Sequence, residues 1–304
     1  MNVFKWIKRK WRGFRRLIST KMFRKDDIKY LTHRFKVSVG YAPNINNPQT
    51  FNEKLMWLKL FWRDDRCYRL VDKYDVREYV KECGLENVLV PNFAVFESFE
   101  EFDKTILPFP CCVKVTHDSG GVWIIKGQEE YEKKKKDILK HFNKKVYNYE
   151  REWPYYRVKP RIIIEKVIPT KDGKAPWDYK IFCFNGKAKF LFVATQRPED
   201  IRFDFFDLEW NHLDLKNGHP NSSAPIPKPE KWNEMIRVAE KLASDFPHVR
   251  VDLYYENGNI YFGEMTFFHF GGNVPFEPAK YDLEFGKYLV LPKANHDPRK
   301  EVIF

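Results

Sequence analysis

The chain has 304 residues, of which 43% are apolar and 17% aromatic. This composition excludes wholesale disorder and suits one large domain or two small ones. No apolar run approaches the roughly 18 residues of a membrane-spanning helix, and charges interrupt every candidate signal-peptide core. Five cysteines without a C-x-x-C pair exclude a disulfide framework and a cysteine-based zinc site, and predict a reducing, cytoplasmic compartment.

Basic charge is concentrated at the N-terminus. The formal net charge is +12, and residues 1–40 contain thirteen Lys or Arg and two Asp, which is +11 of that total. The rest of the chain is therefore nearly neutral. Because a duplex-binding fold spreads its basic groups over a broad face, this distribution argues against nucleic acid as a partner.

The first twenty residues form a predicted amphipathic arm. Apolar side chains recur at steps of three and four from Phe4 to Ile18, and Lys and Arg residues lie beside or opposite them. This pattern favours a helix that lies on an anionic membrane surface through residues 4–18. Two alternatives are a helix docked on its own domain and a contact with a partner protein or anionic glycan.

The next predicted elements are mostly helical. A loop at 40–50 precedes the Thr50–Glu53 capping box, which begins a helix that continues to about residue 64. Asp72 begins a second helix that stops at Gly84, a short strand covers 88–90, and Ser98 begins a third helix.

Hairpins dominate the remainder of the chain. The predicted strands cover residues 111–116, 122–125, 161–168, 179–184, 188–194 and two segments within 249–267, and the predicted helices cover 129–142 and 230–245. Asn-Gly pairs at 185–186 and 257–258 are typical of two-residue hairpin turns. The order predicts a mixed α+β fold with antiparallel sheets rather than a βαβ alternation.

The last hairpin contains two candidate metal-binding carboxylates. With a three-residue loop at 257–259, Asp252 lies opposite Glu264; with a two-residue turn, Asp252 lies opposite Gly263 and Glu264 points to the other face. Directly opposed carboxylates imply a cation between them, and oxygen ligands suit Mg²⁺. The alternative is that one carboxylate is simply solvated.

Lys114 lies in a strand that leads to Ser119 and Gly120, an arrangement that can hold polyphosphate oxygens. The alternative is an ordinary hairpin turn. Glu165 ends an apolar strand, where a carboxylate needs partners, and it could accept bonds from a nucleobase amine or ribose hydroxyls.

Arg197 and Arg202 flank an acidic, aromatic stretch. Either could grip a phosphate or a carboxylate, and either could equally pair with Asp204 or Asp207.

Taken in order, these pieces resemble an ATP-grasp enzyme, and more closely the TupA-like ATP-grasp family of bacterial cell-surface polysaccharide clusters. The resemblance runs from about Pro48 to Pro292 and is carried by the segments 50–60, 72–80, 111–121, 178–187, 249–267 and 286–292. The hairpin is similar to the Arg-x-Asp and Glu-x-Asn pattern of the D-alanine–D-alanine ligase type. Thr266 departs from the usual Asn, and Asp118 departs from the Gly of an expected Asn-His-Gly-Ser-Gly loop.

The resemblance implies an α+β ATP-grasp fold in which two subdomains clasp ATP between antiparallel sheets. The expected divisions are a basic arm at 1–47 and an ATP-grasp domain at 48–304. Within that domain, the parts are a first subdomain with the phosphate loop at about 72–128, an adenine-binding lid at about 129–195, and a magnesium- and substrate-binding part at about 196–304.

The resemblance also implies roles for individual residues. ATP would be held by Lys114, His117, Ser119, Gly120, Glu165 and Lys73. Mg²⁺ would be held by Asp252 and Glu264, with Thr266 as the position of a third ligand. Arg250 would stabilise the moving phosphoryl group, and Lys180 and Arg197 would contact phosphate or substrate.

The implied activity is an ATP-dependent carboxylate–amine ligase that acts through an acyl phosphate. Its partners would be a glycan or sugar carboxylate, such as a uronic acid, and an amine donor, in a protein that is peripheral on the inner face of a bacterial cytoplasmic membrane. The alternatives are a glycosyltransferase or other transferase of polysaccharide biosynthesis, and an inactive membrane-docked scaffold. The sequence has no D-x-D motif of the nucleotide-sugar kind, which disfavours a metal-dependent glycosyltransferase.

Overall fold

The computed structural model of the protein describes residues 23, 25–118, 120–145, 147–170 and 173–300. The predicted arm helix at 4–18 and the predicted phosphate contact Ser119 lie outside the described residues. Among the described residues, no helix combines the length and apolar character needed to cross a membrane.

The helices are α1 (Asp27–Val39), α2 (Phe51–Phe61), α3 (Arg66–Leu70), α4 (Val76–Glu82), α5 (Phe99–Asp103), α6 (Gln128–Phe142), α7 (Tyr147–Glu150), α8 (Trp232–Ala243) and α9 (Lys280–Tyr288). Short 3₁₀ turns cover Glu86–Val88, Trp153–Tyr156 and His269–Gly272. The strands are β1 (Asn92–Phe96), β2 (Cys111–Val115), β3 (Val122–Ile125), β4 (Ile162–Lys166), β5 (Asp178–Phe184), β6 (Lys187–Thr195), β7 (Arg202–Asp207), β8 (His212–Leu213), β9 (His248–Glu256) and β10 (Asn259–Thr266).

Local sequence signals predicted most of these elements. The Thr50 and Glu53 side chains form the predicted capping box at the start of α2, and the Ser98 side chain accepts a bond from the Glu101 amide at the start of α5. The strand predicted at 88–90 is wrong. Residues 86–88 form a 3₁₀ turn, and the first strand begins only after Pro91. Val88 and Val90 are both buried, so this segment has the alternating burial of a strand without pairing with one.

The chain forms two compact units. Of the described residues, the first unit contains those up to Asp64, Tyr147–Trp153, and those from Phe268 onward; the second contains those between Asp65 and residue 145 and those between Pro154 and Phe267. These units do not test the expected division into an arm and three ATP-grasp parts, which stays a prediction.

The first unit is helical. Its core includes side chains from α1 and α2, namely Tyr30, Leu31, Phe35, Met56 and Leu60. Charged groups are also buried in this unit. The ammonium of Lys59 donates to the carbonyls of Glu150 and Gly271, and the Asp282 carboxylate accepts bonds from the backbone and side-chain amides of Asn52.

The second unit contains two antiparallel sheets. The four-stranded sheet has the order β1-β4-β2-β3, and the six-stranded sheet has the order β10-β9-β5-β6-β7-β8. Helix α8 contacts β5, β6 and β9 and buries the apolar stripe Trp232, Met235, Val238, Ala239 and Leu242. The sheets and helices confirm the predicted α+β class.

Candidate active site

The β9–β10 hairpin brings the two predicted metal-binding carboxylates together. Its turn has only two residues, Asn257 and Gly258, and both have positive φ, as expected for a type I′ turn. Asp252 nevertheless pairs with Glu264, because the register shifts by one residue between Phe262 and Glu264. From the sequence, a two-residue turn predicted that Asp252 lies opposite Gly263, and this prediction is wrong. A β-bulge, rather than the turn length, sets the pairing.

Gly263 makes the bulge possible. A Cβ atom at this position would lie 3.0 Å from the Asp252 carbonyl oxygen and 3.2 Å from the ring of Tyr254. A side chain would therefore push β10 away from β9 at the position where the register changes.

The Asp252 carboxylate is 1% exposed and is surrounded by cations. Arg250 on the same strand donates to it twice, through Nε at 2.6 Å and through a terminal nitrogen at 2.8 Å. Lys180 lies opposite Asp252 on β5, and its ammonium also bonds to the carboxylate. Burial of an anion at this position is tolerated because these partners compensate its charge.

Glu264 lies in the same positive environment. Burial alone would raise the pKa of Glu264, but the nearby cations Lys73, Lys180 and Arg250 lower it to about 2. Its Oε2 is 3.6 Å from the Lys73 ammonium, and its Oε1 accepts from the Thr266 hydroxyl at 3.3 Å. Glu264 is therefore ionised at neutral pH.

The donor set of this hairpin fits magnesium in chemical type. Two carboxylates and the Thr266 hydroxyl supply only oxygen ligands, as Mg²⁺ prefers. The described part of the chain has no group of three His, Cys, Asp or Glu side chains that could hold a metal. Any magnesium here would therefore rely on Asp252 and Glu264, with remaining ligands from phosphate oxygens and water.

Asp178 belongs to this cluster, although the sequence reasoning missed it. Its Oδ2 lies 2.6 Å from the Lys180 ammonium and accepts from Arg197 at 3.0 Å. Its Oδ1 is buried without a hydrogen-bond partner among the described residues. The signal was present, because Asp178 and Lys180 are charged residues two apart on an otherwise apolar strand and so share one face.

The two predicted arginines, Arg197 and Arg202, have different surroundings. Arg197 lies in the cluster and also donates to the Pro176 carbonyl, whereas Arg202 pairs with Asp200. Neither Asp204 nor Asp207 is the ion-pair partner found for Arg202.

A second group of predicted residues lies on the four-stranded sheet. Strand β2 alternates strictly: Cys111, Val113 and Val115 face a packed core, and Cys112 and Lys114 face the other way. On that second face, the Lys114 ammonium lies 2.5 Å from Glu165 on β4.

Glu165 is held by two cations. Arg77 donates to its second oxygen at 2.9 Å, a contact that no local sequence signal indicated. Burial would lower the pKa of Lys114, but the neighbouring acidic groups, of which Glu165 contributes most, together outweigh burial and raise the pKa above its ordinary value. Lys114 is thus charged, as phosphate binding requires, while both Glu165 oxygens contact protein cations.

The loop between β2 and β3 contains the remaining predicted phosphate contacts. The His117 ring is buried, and its Nε2 lies 3.0 Å from the Lys144 carbonyl; burial lowers the pKa of His117. Gly120 has a φ of +104°, and its surroundings leave space around it.

Lys73 connects the two groups. Its ammonium donates to the Asp118 carbonyl in this loop at 2.6 Å and lies 3.6 Å from Glu264 on β10. The geometry therefore brings the predicted phosphate loop and the predicted metal hairpin to one lysine. The individual ligand roles stay predictions.

Among solved structures, the chain is similar to D-alanine–D-alanine ligase from Bacillus anthracis, with 18% identity, a TM-score of 0.36, and coverage of 65% of this chain and 57% of that chain. The Helicobacter pylori D-alanine–D-alanine ligase gives 18% identity, a TM-score of 0.39, and coverage of 73% and 61%. The ADP complex of the N5-carboxyaminoimidazole ribonucleotide synthetase purK gives 13% identity, a TM-score of 0.44, and coverage of 80% of this chain and 57% of that chain. The chain thus spans less than two thirds of the length of each of these proteins.

The comparison with curated proteins gave no match. The model of the TupA-like ATPgrasp family matches residues 53–290, which is well over half of the chain. This match agrees with the α+β architecture and with the resemblance carried by the sequence motifs. The chain belongs to the TupA-like ATPgrasp family.

Proposed function

We propose that the protein is an ATP-dependent carboxylate–amine ligase. The observation that carries this proposal is the pair Asp252 and Glu264, opposed across the β9–β10 hairpin and surrounded by cations. An anionic pair within a positive cluster, with Asp252 buried and Glu264 partly exposed, suits a reaction that brings polyphosphate and a carboxylate together and redistributes their charge. Membership of an ATP-grasp family supports ATP as the nucleotide.

The chemistry has two steps. An oxygen of the substrate carboxylate attacks the γ-phosphorus of ATP, the bond from phosphorus to the bridging oxygen breaks, and ADP leaves. The amine nitrogen then attacks the carbonyl carbon of the acyl phosphate, phosphate leaves, and the nitrogen loses a proton. The products are an amide, ADP and phosphate. Such chemistry depends on positioning and charge neutralisation rather than on a protein nucleophile.

Each group of residues has a role in this proposal. Lys114 and Lys73 contribute positive charge to the phosphates, and Glu165 with the backbone beside it contacts the adenosine. Arg250 neutralises charge as the phosphoryl group moves, and Lys180 and Arg197 orient the phosphate or the carboxylate substrate. Asp252 and Glu264 would hold Mg²⁺, which when bound supplies positive charge to the phosphate oxygens.

The proposed substrate is a bacterial surface polysaccharide or its precursor, in which a uronic acid becomes linked to an amino acid or amine. This part rests on the family resemblance. It is tested by incubating the protein with ATP, Mg²⁺ and panels of uronic acids and amines, and by measuring ADP. A protein that binds ATP but forms no ADP with any such pair contradicts the ligase.

Nucleotide binding is the first experiment. Calorimetry with ATP should show an affinity that depends on Mg²⁺, and Asp252→Asn and Glu264→Gln should each lose that dependence. The matched control is Glu209→Gln, an exposed carboxylate in the turn between β7 and β8. Absence of ATP binding in the unmodified protein, together with binding of a nucleotide sugar, would favour the glycosyltransferase alternative.

We also propose that residues 4–18 bind the inner surface of the cytoplasmic membrane, where lipid-linked glycan precursors are accessible. This proposal is supported by the net charge of +11 within residues 1–40 and by the helical periodicity of apolar residues in the arm. Replacing Lys8, Arg9, Arg12 and Arg15 by Glu should abolish sedimentation with anionic liposomes. The matched control replaces four exposed lysines of α6 by Glu, namely Lys133, Lys134, Lys136 and Lys140. Equal sedimentation of the arm variant and the unmodified protein contradicts membrane binding by the arm.

A further inference from the structure

The loop between β2 and β3 contains a buried carboxylate to which none of the roles above is assigned. Asp118 is 0% exposed, and its two oxygens contact two basic side chains beyond β3. His141 Nδ1 lies 2.5 Å from one oxygen, and the Lys144 ammonium lies 2.6 Å from the other. Both partners come from the C-terminal end of α6 or just after it, so the carboxylate fastens the loop to this helix.

Lys144 holds the loop at a second point. Its carbonyl oxygen lies 3.0 Å from Nε2 of His117, while its ammonium contacts Asp118. Gly121 lets the loop come close on the same side, because a Cβ atom there would lie 3.1 Å from Val115 and 3.5 Å from His141 Nδ1. The loop therefore packs directly on the residues that hold its carboxylate.

The backbone of Asp118 faces a different group. Its carbonyl oxygen accepts from the Lys73 ammonium at 2.6 Å, and the Lys73 amide donates to the Thr116 carbonyl at 3.2 Å. The same ammonium lies 3.6 Å from Glu264. Fixing the Asp118 side chain therefore also fixes the carbonyl that orients Lys73.

The direction of the Asp118 side chain matters for phosphate binding. A carboxylate aimed at phosphate oxygens would repel them, but this one pairs with the Lys144 ammonium and lies within hydrogen-bond distance of His141 Nδ1. Its side chain thus acts as an anchor rather than as a ligand. The Lys73 ammonium, which the Asp118 carbonyl orients, remains available to face an anion.

We propose that Asp118, held by His141 and Lys144, is a positioning residue that fixes the β2–β3 loop and sets Lys73 for the phosphates of the nucleotide. The phosphate part rests on the proposed function, whereas the anchoring of the loop does not. We expect the anchor to affect the binding of phosphates but not of adenosine. Glu165 and the backbone beside it, which are the proposed adenosine contacts, lie on β4 and not in this loop.

The test compares Asp118→Ala, Asp118→Asn and Lys144→Met with Lys145→Met, which changes the neighbouring exposed lysine. Hydrogen exchange of the amides of residues 116–118, 120 and 121 is measured without nucleotide. Asp118→Ala and Lys144→Met should both accelerate exchange, Asp118→Asn should accelerate it less because an amide oxygen still accepts, and Lys145→Met should leave it unchanged. Lys144→Met keeps the test decisive if Asp118→Ala does not fold, because the Lys144 side chain is 40% exposed.

Nucleotide affinity then separates positioning from a merely structural role. Asp118→Ala should weaken ATP binding about tenfold, as the loss of roughly one oriented hydrogen bond would, and should leave adenosine binding unchanged. Equal weakening of ATP and adenosine, or unchanged ATP affinity despite faster exchange, overturns the positioning role. Unchanged exchange in Lys144→Met overturns the anchor. If the unmodified protein binds no ATP, the proposed function and the positioning role fail together, and the exchange experiment still decides the anchor.

Discussion

Asp252 and Glu264 face each other across neighbouring strands that only two residues connect, because a bulge at Gly263 shifts β10 by one position. Without this shift, Glu264 would point to the opposite face of the sheet. The bulge therefore places both carboxylates beside Arg250 and Lys180, and one glycine determines the composition of the site.

Gly263→Ala tests the bulge. The added methyl group would meet the Asp252 carbonyl, so we expect a loss of about 1–3 kcal/mol in the free energy of unfolding and a loss of Mg²⁺-dependent ATP affinity. Urea denaturation and calorimetry measure the two effects. The matched control is Gly127→Ala, where no atom lies within 4 Å of the new Cβ and φ is not positive. If Gly263→Ala retains the affinity of the unmodified protein, the bulge is not needed for the site.

Glu165→Gln should destabilise the protein more than Lys114→Met or Arg77→Met. Removing the shared carboxylate leaves two largely buried cations without their anion, whereas removing one cation leaves the other pair intact. We expect a cost of about 3–5 kcal/mol for Glu165→Gln, measured by urea denaturation. Glu97→Gln, which changes an exposed ion pair with Lys159, should leave stability unchanged. A smaller effect for Glu165→Gln than for either cation variant contradicts this account.

Asp178→Asn should weaken the position of both Lys180 and Arg197. Asn still accepts one hydrogen bond but supplies no charge, so we expect a loss of about 1.5–3 kcal/mol in unfolding free energy. A lower rate of ADP formation should accompany it, because two predicted substrate contacts lose a shared anion. Asp200→Asn is the control, because its carboxylate pairs with Arg202 and is 60% exposed. Equal stability and equal rate in both variants would exclude a supporting role for Asp178.

Asp282 predicts a pH-dependent contribution to stability in the helical unit. Burial raises the pKa of Asp282 from 3.8 to about 6, against the lowering effect of its bonds with Asn52. Between these two pH values the folded protein binds more protons than the unfolded chain. The contribution of protonated Asp282 to the free energy of unfolding is therefore fully present below about pH 3.8 and is lost as pH rises through about 6.

Asp282→Asn removes this titration. As pH rises from 4 to 7, the unmodified protein should lose unfolding free energy relative to the variant. The relative loss should be at most about 3 kcal/mol. Denaturation at a series of pH values measures the slope, and Glu284→Gln on the exposed face of α9 is the control. A pH-independent difference for Asp282→Asn contradicts the raised pKa.

Features set by neighbouring residues were predictable from the sequence. The Thr50–Glu53 capping box, the turn at Asn257 and Gly258, and the apolar stripe of α8 each depend on residues a few positions apart, whose preferences act locally. The strands of the β9–β10 hairpin and of the β2–β3 hairpin were predictable for the same reason, whereas the metal and phosphate roles of their residues stay predictions.

Contacts between distant segments were not predictable. Arg77 and Glu165 are 88 positions apart, and nothing in either segment indicates that they meet. The partners of Asp118 were missed for the same reason, since they lie beyond β3, at the end of α6 and just after it. The bulge escaped prediction because one glycine in a strand is compatible with either register until the partner strand is known.

The alternation of β2 limits how this protein can change during evolution. Inserting or deleting a single residue within the strand would exchange its two faces at once, so that the Lys114 ammonium would enter the packed interior and an apolar side chain would lie beside Glu165. A single substitution changes only one face of the strand. Relatives of this protein should therefore differ in the sequence of β2 but not in its length, and insertions should accumulate in exposed connections such as the turn between β7 and β8.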